Sequence, residues 1–180
     1  MILDAFLMFD SPSAPVNLAQ IVATYNSTNV IDLGGPNIPV LANLQGARDI
    51  GIGDDPALKL LVEVSTTFTS AGAATLQIAL QGATDNGSGA PASYSTWWTS
   101  PAYALATLVA GARLLDMDMP RPPAGIAIPR FLRLNYIIGG ATTTAGACIA
   151  GIVIDRVDQP YSSTGNQVFG GYPAGINVAN

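Results

Sequence analysis

Lys59-Leu60-Leu61-Val62-Glu63-Val64-Ser65-Thr66-Thr67-Phe68 decides the fold class. Leu60, Val62, Val64, Thr66 and Phe68 fall on one face of an extended chain, and Leu61, Glu63, Ser65 and Thr67 on the other. Strand side chains alternate with a period of two, so the first set faces a core and most of the second faces solvent. Thr75 to Gln81 repeats the pattern, with Leu76, Ile78 and Leu80 inward and Gln77, Ala79 and Gln81 outward. Gly72 lies in the short connection 69–74, which predicts that the two runs form a hairpin.

Working outward, the same grammar recurs. Asp85-Asn86-Gly87-Ser88-Gly89-Ala90-Pro91 is almost wholly turn-forming and predicts an open loop. Tyr94 to Trp98 is a short aromatic strand, and Tyr103 to Ala110 is strand or irregular rather than helix. Ala112 to Met119 sets Leu115, Met117 and Met119 against Leu114, Asp116 and Asp118. Pro120, Pro122 and Pro123 remove three backbone donors, so that stretch connects strands rather than joining a ladder. Arg130 to Ile138 places Leu132, Leu134, Tyr136 and Ile138 on one face, with Phe131 implying a half-covered outer face. Gly139 to Gly146 is expected to be a flexible hairpin loop, leading into Ala147 to Asp155, apolar on both faces as a central strand is. Thr28 to Leu33 is a further strand, and Val16 to Tyr25 is helix or strand.

Neither tandem repeats nor a break in composition divides the chain. Short apolar runs between Gly, Pro, Ser, Asn and Asp clusters predict one all-β antiparallel sandwich over residues 1–180. Residues 1–26 are expected to form an N-terminal arm. Residues 161–180 form an uncharged tail with four glycines and three aromatics, expected to lie along a surface. Met1 to Phe9 carries Asp4 and lacks a basic start or a small-residue cleavage site, so it is not expected to be a signal peptide.

Composition narrows the chemistry. Only 11 % of the residues are charged, 7 basic and 12 acidic, where a typical domain of this length carries roughly 45 such residues. Lys59 is the one lysine, Glu63 the one glutamate, and there is no histidine. That excludes a Ser-His-Asp triad and any His-ligated metal. A single cysteine, Cys148, excludes an internal disulfide and Cys-rich metal sites, and its apolar context makes it an inert core residue. The net charge of −5 with no basic cluster argues against nucleic acid as a partner. The longest apolar runs fall short of a membrane helix, so no membrane partner is expected. So few charges point to a surface covered by another protein; a surface of Ser, Thr, Asn, Gln and Gly is the alternative.

Candidate sites are few. Asp49, Asp54 and Asp55 lie among glycine turns without the spacing of a calcium loop. Asp116 and Asp118 share a strand face, as a carboxylate pair would, but match a solvated strand edge better. Asp155 and Asp158 flank Arg156 as a local ion pair would. Trp97 and Trp98, adjacent on a strand, are expected on opposite faces, one in the core and one free to stack a sugar or a partner side chain.

Three segments carry a family resemblance: Ser27-Thr28-Asn29-Val30-Ile31-Asp32-Leu33-Gly34, Arg130-Phe131-Leu132-Arg133-Leu134-Asn135-Tyr136, and Tyr172-Pro173-Ala174-Gly175-Ile176. In that order they resemble the capsid cement (decoration) proteins of tailed bacteriophages. The resemblance implies a jelly-roll β-sandwich on the outer capsid surface of the virion, clamping adjacent major capsid subunits against internal DNA pressure. It implies no catalytic residues and no cofactor, and self-association as a homodimer, with a trimer as the second choice. Interface residues are assigned on physical grounds: Trp97, Trp98 and Tyr103 in the body, and Val168, Phe169, Tyr172 and Ile176 in the tail. Two rivals stand beside this. One is a carbohydrate-binding jelly roll of a virion, which needs an exposed Trp over a polar groove. The other is a small hydrolase using Asp116 and Asp118.

Overall fold

The computed structural model describes residues 7–34, 58–127 and 129–154. Among these described residues eleven strands run in chain order: β1 (Met8–Asp10), β2 (Val16–Asn17), β3 (Thr24–Asn26), β4 (Ile31–Asp32), β5 (Leu58–Ser70), β6 (Thr75–Ala83), β7 (Ser95–Thr99), β8 (Tyr103–Ala104), β9 (Arg113–Asp118), β10 (Phe131–Gly139) and β11 (Thr143–Ile154). One sheet has the order β1-β11-β5-β9, with β2 also on β11. The other has the order β3-β10-β6-β7, with β4 on β10 and β8 on β6. Every pairing is antiparallel. The chain changes sheet at β2–β3, β4–β5, β5–β6, β8–β9, β9–β10 and β10–β11, and β6–β7 closes as a hairpin within one sheet. That is the double Greek key of a jelly roll.

The inward faces are those the alternation predicts. Leu60, Val62, Val64 and Phe68 of β5, Leu76, Ile78 and Leu80 of β6, and Leu132, Leu134, Tyr136 and Ile138 of β10 are buried in one core cluster with Phe9, Leu18, Ile31 and Ile152. β11 lies between β5 on one side and β1 and β2 on the other, so its double-sided apolar pattern is that of an interior strand. Residues 7–26, expected to be an arm, supply edge strands to both sheets, and Leu7, Met8 and Phe9 are buried.

Four local expectations are corrected. β5 and β6 are not a hairpin, because they lie in opposite sheets. β10 and β11 are not one either, and their connection is tighter than expected, since β11 begins at Thr143. Alternation identifies a strand's buried face but not whether its successor pairs beside it or packs across from it. Thr66 is exposed rather than inward because successive bulges shift the β5–β11 register beside it. Thr28 to Leu33 is not continuous. Ser27 Oγ donates to Asn29 O (2.8 Å) and Asn29 N–H donates to Phe9 O (2.9 Å), diverting the chain between β3 and β4.

Candidate functional site

The aromatic candidates sit at one side of the sandwich. β7 is the edge strand of its sheet, and its register against β6 slips between Leu80↔Trp98 and Gln81↔Thr96. Trp97 is the residue left over, and a bulge turns two neighbouring side chains toward the same side. Trp98 faces inward beside Leu80. The Trp97 indole covers Gly82, whose missing Cβ would lie 2.3 Å from the ring. Both tryptophans are therefore half-buried against the core rather than on opposite faces. Neither is the open platform that stacking on a sugar needs. The hollow beside Trp97 and Ile126 holds about 70 Å³, far below the roughly 300–1,000 Å³ of small-molecule sites.

Tyr103 is half-buried as well. Its hydroxyl donates to Leu114 O at 2.7 Å, tying β8 of one sheet to β9 of the other, and burial raises its pKa. Tyr94 lies under Arg133, whose guanidinium carbon is 3.7 Å from the ring centroid, and Arg133 Nε also donates to Gln81 Oε1 at 2.8 Å. This stack covers the outer face of β6 and β10, and its members are separated too widely in sequence to signal one another.

The charged side chains hold strand ends together. Arg130 donates from Nε to Asp32 Oδ1 (2.9 Å) and from Nη2 to Asp32 Oδ2 (3.0 Å), and from Nη1 to Asp85. A bidentate pair of this kind fixes geometry as well as charge. Burial pushes Asp32 upward, but the Arg130 hydrogen bonds, the Gly34 N–H and the Arg130 charge outweigh it and hold its pKa low. Asp85 is held low first by the Gly87 N–H, then by the Gly89 N–H and Arg130. Lys59 Nζ meets Asp118 Oδ1 at 2.7 Å, and Arg113 meets Glu63 at 3.8 Å. Asp118 is thus engaged by Lys59 across the β5–β9 ladder rather than poised beside Asp116.

Among the described residues one carboxylate is internal. Asp10 accepts from Thr28 N–H (2.7 Å) and from the Tyr136 hydroxyl (2.7 Å), so it ties β1 to β10 through the core. Burial raises its pKa despite both hydrogen bonds. The same burial raises Tyr136 and the Cys148 thiol, which is therefore inert as a nucleophile.

Among the described residues no group of three or more His, Cys, Asp or Glu side chains is placed to hold a metal. The tail residues Val168, Phe169, Tyr172 and Ile176 lie outside the described residues, as do Asp49, Asp54, Asp55, Asp155, Arg156 and Asp158.

No curated protein matches the chain. A family model described as Bbp16 matches residues 16–152, which runs from β2 nearly to the end of β11 and takes in most of the sandwich. The match covers well over half of the sequence, and the chain belongs to the Bbp16 family, a phage-related family.

Proposed function

We propose that this protein is a capsid cement, or decoration, protein, bound to the outer surface of a phage capsid where it clamps adjacent major capsid subunits. The observation that carries the reading is the coincidence of a phage-related family match with the jelly-roll body itself. The role is mechanical rather than catalytic. A protein that resists expansion of a shell needs a stiff body, and the two sheets here are cross-tied through Asp10–Tyr136 and Tyr103–Leu114, while the Arg130 ion pairs tie strand ends within one sheet. It also needs surface that water gives up cheaply, and only 19 of the 180 residues are charged. Many weak contacts on a repeating lattice then add up through avidity. Self-association as a homodimer, or as a trimer, would supply the second foot of the clamp.

Co-sedimentation of the purified full-length chain with empty shells of its own phage tests this. Saturable binding at a fixed ratio to the capsid subunit, with shells that then survive higher temperature, is the expected result. Absence of binding overturns the reading.

A further inference from the structure

The few charges of this chain are not spread evenly over the sandwich. Residues 11–31, 64–84, 86–112 and 134–154 contain none. Those four spans are distant in sequence, but the fold brings one connection from each to the same end. The segment 11–23 runs along the start of β11, where Leu18 N–H donates to Gly146 O (2.9 Å) and Thr143 N–H to Gln20 O (3.0 Å). The β5–β6 connection meets the β10–β11 connection there: Ser70 pairs with Thr143, Ser70 Oγ donates to Thr142 O (2.7 Å), and Gly139 pairs with Thr75. The segment 100–112 closes the group, with Phe68 N–H donating to Leu108 O and Ala110 N–H to Thr67 Oγ1, both at 2.9 Å.

This end presents methyls and hydroxyls. Ile21, Val22 and Val109 stand out from it at 65 %, 51 % and 49 % exposure. The opposite end carries Asp32, Asp85, Arg130, Lys59 and Asp118. Ionised groups cost the most to desolvate, and the loop end is a part of the described body that another protein can cover without burying one. Two sheets about 10 Å apart, each four strand positions wide at about 4.8 Å, make an end on the order of 400 Å² once side chains are included. That is about half of the roughly 800 Å² one partner gives to a standard interface, so lattice avidity completes the hold.

We infer that the protein stands on this uncharged end, and that the end seats on an equally uncharged patch of the capsid's outer surface. The inference rests on the cement reading and adds the face and the chemistry of the contact. The charged end then points away from the shell.

The test uses the full-length chain and empty shells. Val22→Glu with Val109→Glu, and separately Val22→Lys with Val109→Lys, should each lower shell affinity at least tenfold. Loss with both signs marks a neutral contact; loss with glutamate alone would mark repulsion and overturn it. Ala71→Glu with Thr142→Glu, on the two other connections, should act alike. Val30→Glu with Ile126→Glu, the matched change on apolar side chains at the other end, should bind as the unaltered chain does. All positions are exposed, and each variant is to be checked for folding by circular dichroism before its binding is read. Unaltered binding should change by less than threefold between low and high salt, since there is little charge to screen. If the Val22 and Val109 variants bind normally, or merely change from oligomer to monomer while still binding, the face is wrong and the cement reading stands. If the unaltered chain does not bind, the cement reading itself falls.

Discussion

The two ends of this sandwich are built from different materials. At one, four connections without a charged residue are locked by backbone approach and hydroxyl bonds. At the other, strand ends and connections are held by Arg130 bridging Asp32 and Asp85, and by Lys59 on Asp118. Close packing keeps its strength in any salt and when covered by a partner. Exposed ion pairs are weakened by salt and lose hydration when covered. The division therefore suits one end to permanent contact and the other to water.

Stability measurements can break the comparison. The largest effect is expected at Gly140, which has φ +74 and would place a Cβ 2.1 Å from Ala73 O. Gly140→Ala should cost about 3 kcal/mol or more in thermal unfolding, as strain and overpacking add. A cost below about 1 kcal/mol would show the uncharged end to be looser than described. Next is Thr143, whose buried hydroxyl donates to Leu18 O and accepts from Gln20 N–H (3.0 Å). Thr143→Val should cost about 1–3 kcal/mol by leaving both backbone groups unpaired.

Asp10 sharpens the comparison through pH. Burial raises its folded pKa above 3.8, so folding favours the protonated carboxyl. Its contribution is fully present below the ordinary carboxylate range and is lost as pH rises through the raised value. Asp10→Asn should therefore flatten the pH dependence of stability above pH 4, seen in urea melts at several pH values. The opposite sign holds at the charged end. Asp32 is held low, and its contribution is present above the ordinary range and disappears as pH falls through the lowered value. Arg130→Met should give the smallest change, a drop in melting temperature that shrinks in high salt, where Gly140→Ala is unaffected.

How much of this was legible in the sequence differs by level. The period-two runs around Val62, Ile78 and Leu134 specify strands and core faces, because alternation is a local property. Sheet membership is not local, which is why β5–β6 and β10–β11 look like hairpins until their partners are known. The Trp97 bulge left no sign beyond Gly82, whose bare Cα makes room for the indole from the neighbouring strand. The charge-free spans are plain in the sequence, yet their meeting at one end follows only from the strand order. The tail residues Val168, Phe169, Tyr172 and Ile176 remain an expectation from composition.

Cryo-microscopy of the intact particle tests the central claim most directly. The account predicts jelly-roll density for this chain on the outer shell, with the connections 11–23, 71–74, 100–112 and 140–142 against the capsid subunits and Arg130 facing solvent. Density absent from the shell, or present with the Arg130 end downward, would contradict it.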